Sequence, residues 1–281
     1  MKRLLAILFA LVGFLAVVAA SPASSKPQTH VLIVSGLLVD YEENMFRDLS
    51  LNNLRHFFLE TAKLNESRVT ILVDENSGAR LPQDPCSTAS QLFATAAELA
   101  GRVKAADRFI FYYLGQANIV TDTLRLNLPG KDVTHKQLAD ALRPIRAASR
   151  LIILDCPGAG LAIRSFAGEN NIVIAGARSD QPYSTRFSPY FIPALTDPNS
   201  DTSADGRVSL LEAFTAVCKQ LDEFYESQDL VKIENAILED DGDGVGSQRP
   251  WKYEEELHDG AVADKYFLSE YRVRKEDPNE Q

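Results

Sequence analysis

Cys156 and Gln116 are the residues whose type and position most invite chemistry. Each lies at the end of an apolar, strand-like run: Phe109 to Gln116 (FIFYYLGQ) and Leu151 to Gly160 (LIILDCPGAG). A parallel strand covered on both faces reads as an unbroken apolar run, and ligands of α/β folds collect beyond the carboxyl ends of such strands. A thiol in that place becomes a nucleophile for acyl transfer when an imidazole raises its thiolate fraction and then protonates the leaving group. Position 116, where that imidazole would stand, is glutamine. Its amide is able to orient a ligand by hydrogen bonding but unable to relay a proton near neutral pH.

Two readings of Cys156 stay open: a functional thiol, or a small hydrophobe buried at a strand end. Asp155 beside it either lines a ligand pocket or caps the following turn. Arg178 and Asp180 follow the fifth strand-like run, where they would read a ligand side chain or simply form a solvated loop. None of the four histidines (His30, His56, His135, His258) sits at the end of a run beside Cys156, and each is expected to be an exposed structural residue.

A second kind of chemistry is suggested by Asp201 to Glu212 (DTSADGRVSLLE). Asp201, Ser203, Asp205 and Ser209 fall at the first, third, fifth and ninth positions of a twelve-residue calcium loop. Gly206 supplies the sharp turn, Arg207 a carbonyl, and Glu212 the bidentate carboxylate. Ser209 and Glu212 equally fit a capping box for the helix that follows. Calcium held here should be weakly bound, because Ser203 and Ser209 replace charged ligands. Glu239 to Gly244 (EDDGDG) resembles the start of another such loop. Pro250 stands where its last carboxylate belongs, so this stretch is read as an ordered acidic turn.

The elements that must position these residues alternate regularly. Strands are expected at residues 30–35, 69–73, 109–113, 151–154 and 172–175. Helices are expected at 44–64, 87–105 and 134–148, where apolar residues recur at helical spacing. Strands separated by helices of this length give right-handed crossovers and a mostly parallel sheet with helices on both faces. A short helix near 189–195 and a longer one from Leu210 to about Tyr225 follow. The last dozen residues are charged and without an apolar period. The loop after the first strand lacks a glycine-rich phosphate cradle, so nucleotide binding has no support.

Composition narrows the function classes. A net charge of −10 argues against nucleic acid as a partner. Lys2 and Arg3 precede an apolar run to Ala20 and then small residues, the pattern of a cleaved leader. Residues 1–20 are therefore read as a signal peptide and the chain as secreted or periplasmic, with no membrane span after cleavage. An uncleaved anchor is the alternative. Roughly 255 residues would remain, enough for one large α/β domain. Of the three cysteines, Cys218 lies on the apolar face of a helix and Cys86 in a loop. A Cys86–Cys156 disulfide would end any role for a nucleophilic thiol.

The Phe-Tyr-Tyr-x-Gly strand end, the Asp155-Cys156-x-Gly turn and the order of elements from His30 to Leu195 resemble the caspase-like cysteine peptidase clan. Legumains and the peptidase subunit of glycosylphosphatidylinositol transamidases are its nearest members to this chain. The segment Gly206 to Phe214 resembles one appended to bacterial caspase-like proteins. The resemblance implies a three-layer caspase-like fold over residues 29–196. An EF-hand-like loop and helix (197–225) would pack on it, followed by an acidic loop and charged C-terminal extension (226–281). It implies Cys156 at the nucleophile position, Gln116 at the histidine position, and a substrate pocket near Asp155, Arg178 and Asp180. Where the clan has glycine after its histidine, this chain has Ala117. The expectation is a pseudo-peptidase that binds a peptide or protein ligand. The alternatives are an active cysteine endopeptidase using Cys156, or a calcium-stabilised structural module.

Overall fold

The computed structural model describes residues 26–37, 41–252 and 258–274. The expected leader, and the charged tail beyond residue 274, lie outside them. The chain begins β1 (Thr29–Ser35), α1 (Tyr41–His56), β2 (Val69–Leu72), α2 (Ala89–Arg102) and β3 (Arg108–Leu114). A small antiparallel sheet of β4 (Ala117–Val120), β5 (Thr123–Leu126) and β6 (Val133–Thr134) comes next. Then follow α3 (His135–Leu142), β7 (Ser149–Asp155), α4 (Ile163–Phe166), β8 (Asn171–Ala175), α5 (Phe187–Ala194), α6 (Leu210–Ser227) and β9 (Ile237–Glu239).

Among the described residues the main sheet has six strands in the order β2-β1-β3-β7-β8-β9. The first five are parallel, and β9 closes the edge antiparallel to β8. Helices cover both faces, giving a three-layer α/β fold with a mostly parallel sheet. No described helix is long and apolar enough to cross a membrane.

Side-chain alternation along the strands divides the interior into two layers. Ile110, Tyr112, Leu114, Leu151 and Ile153 point into one, shared with α1, α5 and α6. Phe109, Phe111, Tyr113, Ile152 and Leu154 point into the other, shared with α2 and α3. These runs are unbroken in sequence because both faces of each strand are covered.

The expected elements are present with shifted ends. α1 passes into a π-helical turn (Phe57–Thr61) before the expected end at residue 64. α3 stops at Leu142 rather than Ala148, since Pro144 has no N–H to continue the ladder. The alternating leucines at 124, 126 and 128 belong to the small sheet and its exit. β9, only three residues long, carries no periodic signal of its own.

The ends of β1 and β3 approach closely at Gly36 and Gly115. A Cβ on Gly115 would lie 2.7 Å from the Gly36 Cα, where backbone has no room to yield. Gly115→Ala should therefore lower stability by about 1–3 kcal/mol in urea denaturation, the usual cost of overpacking. Gly101, near the end of α2, has nothing within 4 Å of its missing Cβ. Gly101→Ala should raise stability by about 0.5–1 kcal/mol through helix propensity.

Candidate functional site

β7 ends at Asp155, and alternation carries that side chain to the face shared with α1, α5 and α6, with Cys156 next along on the opposite face. Above the ends of β3 and β7, on the Asp155 side, lies a cavity of about 530 Å³. That volume suits a small ligand or an inserted peptide side chain. α1 supplies Phe46, Arg47 and Ser50 to its wall, and the strand ends supply Leu114, Gly115 and Asp155. The approach to α5 adds Ser184, Thr185 and Arg186, α5 itself Ser188 and Tyr190, and α6 adds Phe224.

Asp155 is 6% exposed and anchors the start of α5. One carboxylate oxygen accepts from the Thr185 hydroxyl. The other accepts from the Ser188 amide at 2.9 Å and from the Ser188 hydroxyl. The Ser188 oxygen also lies 2.7 Å from the Tyr112 hydroxyl. A carboxylate beside the free N–H groups of a helix start is held favourably by the helix dipole. Burial nevertheless drives the Asp155 carboxyl upward, against the opposing pull of its bonds to Ser188 and Thr185. Asp155 is thus the cap of α5 rather than of the turn that follows β7.

Cys156 is 0% exposed among apolar residues of the α2/α3 layer. Burial pushes its thiol well up, and the neighbouring Asp155 charge adds to the effect. Burial of this kind disfavours the thiolate, which is the nucleophilic form of the group. Gln116 belongs to the cavity side: its Nε2 donates to the Ser184 hydroxyl at 2.9 Å. The two residues that the sequence paired therefore serve opposite faces of the sheet. The three cysteines are free, so no Cys86–Cys156 disulfide forms.

Arg178 and Asp180 are not among the residues lining the cavity. They pair with each other at the surface, Nε to Oδ1 at 2.9 Å and a second bond at 2.5 Å. Two of the histidines expected to be exposed are buried. His30 sits 3.4 Å from Asp107 at the opposite end of the sheet, and burial lowers its pKa. His135 packs its Nδ1 against the Leu124 backbone, 3.1 Å from the amide.

In the Asp201–Glu212 loop, Asp201 accepts from the Asp205 and Gly206 amides at 3.2 and 2.9 Å. Asp205 accepts from the Arg207 amide. Glu212 accepts from the Ser203 amide at 2.8 Å and the Ser209 amide at 2.9 Å, and the Ser209 hydroxyl accepts from the Glu212 amide. The capping box is therefore complete. Among the described residues, the acidic group able in principle to chelate a cation is Glu239, Asp241 and Asp243, whose ligand atoms lie within 4.8 Å of one another. Asp201, Asp205 and Glu212 form no such group.

Compared with known proteins, the chain matches no family model, and no curated protein matches it significantly.

Sequence reasoning missed Arg47, Arg186 and Glu234. Glu234 is fully buried, accepting from the Arg186 amide at 2.5 Å and the Tyr225 hydroxyl at 2.9 Å, with the Arg186 guanidinium 3.6 Å away. An isolated acid within the apolar stretch Leu230 to Leu238 was the available signal. Burial raises Glu234 from 4.5 to about 7, with a smaller push from Asp155.

A carboxyl raised by folding binds its proton more tightly in the native state. Its contribution to stability is therefore greatest below the unfolded value and is lost as pH rises through the folded one. Between pH 4.5 and about 7, the wild type should lose on the order of 3 kcal/mol relative to Glu234→Gln. Urea denaturation of both proteins across that window measures the difference, and parallel curves would contradict the assignment.

Proposed function

We propose that the chain binds a peptide or protein segment in the cavity between α1 and α5 and does not cleave it. The observation that carries this reading is a ligand-sized cavity walled by Asp155, Arg47 and Arg186, with Cys156 turned into the opposite layer. Among the described residues that line it, such a cavity offers charge, hydroxyls and aromatic surface for recognition, and neither a thiol nor an imidazole. Its mouth is apolar: Phe46 is 51% exposed, and Met45 and Leu49 beside it on α1 are also exposed. Exposed apolar clusters beside a polar pocket are the usual composition of a peptide-binding surface.

The caspase-like resemblance supports the same reading. Its nucleophile position is Cys156, enclosed in the α2/α3 layer. Its histidine position is Gln116, engaged with Ser184 in the cavity wall. With the basic N-terminal segment and its apolar run, the chain is proposed to be exported, and its ligand to be met outside the cytoplasm.

A fluorescently labelled peptide library tests this directly. A subset should bind saturably and remain intact. Ser184→Trp, which fills the cavity from its wall, should weaken that binding by about tenfold or more, equivalent to ~1.4 kcal/mol. Cys156→Ala should bind as the wild type does. Cleavage that disappears in Cys156→Ala, or binding untouched by Ser184→Trp, would refute the proposal.

A further inference from the structure

β9 carries Glu239 into the edge of the main sheet, opposite Val173 of β8. The chain then turns sharply through Gly242 and Gly244, both with positive φ (87° and 77°). It returns so that Leu238 and Ser247 exchange two backbone hydrogen bonds at 2.9 and 2.8 Å. The residues between form a closed loop with a fixed base.

The loop's interior is arranged around carboxylates. Glu239 is 0% exposed. Its Oε1 accepts from the Gly242 amide at 2.8 Å and the Gly244 amide at 3.2 Å. Its Oε2 is buried and has no hydrogen-bond partner among the described residues. Asp241 and Asp243 accept from the amides of Asp243 and Val245, and an oxygen from each lies within 4.8 Å of the others and of Glu239. Asp240 is turned away, accepting from the amides of Gly260, Val262 and Ala263, and so ties the loop to the 258–263 turn. Asp259, from that turn, adds its charge beside Glu239.

A buried carboxylate oxygen with no donor, on a side chain gathered with two further carboxylates, is unfavourable as it stands. A proton or a cation would relieve it. A proton neutralises one oxygen and leaves Asp241 and Asp243 in mutual repulsion. A divalent cation satisfies all three groups together. Glu239, Asp241, Asp243 and Gly244 occupy the first, third, fifth and sixth positions of a calcium loop, and Val245 the seventh, whose carbonyl such loops contribute. The ligands are hard oxygens, which select calcium, magnesium or manganese over softer metals. Two of the three carboxylates are solvent-exposed, and Pro250 replaces the last one. An open site of this kind tolerates the irregular coordination of calcium better than the strict octahedron of magnesium.

We propose that Glu239, Asp241 and Asp243 form a calcium site, with water filling the positions that Pro250 leaves open, and that the ion fastens β9 and its loop to the sheet. This is independent of the cavity and its ligand. It also exchanges the roles expected from the sequence: the loop at Asp201 caps α6, and the loop at Glu239 holds the ion.

Isothermal titration of the full chain with calcium chloride, paired with thermal melts, tests the site. The wild type should bind with a Kd on the order of 10⁻⁴ M and melt at higher temperature when calcium is saturating. The double variant Asp241→Asn, Asp243→Asn changes exposed side chains and should fold normally. It should lose affinity by about tenfold or more, together with the calcium-dependent rise in melting temperature. Glu212→Gln in the other loop should keep both. No binding by the wild type up to millimolar calcium would overturn the proposal. So would a smaller loss in the double variant, or loss in Glu212→Gln alone, either of which assigns the ion elsewhere.

Discussion

A strand buried on both faces sends successive side chains into two separate apolar layers, and nearly every property of the cavity depends on how β7 obeys that alternation. Asp155 and Cys156 are neighbours in sequence and occupants of different layers in space. The carboxylate reaches the start of α5, while the thiol is enclosed with the residues of the α2/α3 layer. The register of β3 against β7, which pairs Leu114 with Asp155, places Gly115 and Gln116 beside the same opening. At Cys156 the alternation delivers the thiol to the closed side.

The carboxylate does structural work as well as lining the cavity. By accepting from Ser188 and Thr185 it fixes where α5 begins and so sets the cavity wall that faces α1. Arg186, immediately before α5, is held from behind by Glu234 and Tyr225 and lies over the Phe224 ring. A cation in this setting, together with Arg47, offsets the buried acidic groups and leaves a cavity with both signs of charge near its entrance.

The layered fold was legible because it rests on local signals. Unbroken apolar runs marked β1, β3 and β7, and helical spacing at Leu92, Ala96 and Leu99 marked α2. The candidate site was legible only in part. The run LIILDC shows where β7 ends, but assigning Cys156 a face needs the alternation counted from residues whose burial partners are distant in sequence. Arg186 and Glu234 meet across 48 positions, within a stretch that has little regular periodicity. The acidic loop at Glu239 carried its first ligands in plain view. What the sequence could not show is the burial of Glu239, which arises from the pairing of β9 with a strand more than sixty residues earlier. Arg178 and Asp180 pair with each other, since two opposite charges in a loop after a strand satisfy each other as readily as they bind a ligand.

Cys156 belongs to the closed layer and not to the cavity. Alkylation of the native protein with iodoacetamide, followed site by site by mass spectrometry, tests it most directly. Cys86, half-buried in a loop, should react first. Cys156 should react no faster than the global unfolding rate, in step with the buried Cys218 on α6. Modification of Cys156 in the folded protein, faster than unfolding and ahead of Cys218, would place its thiol on the open side and contradict the account.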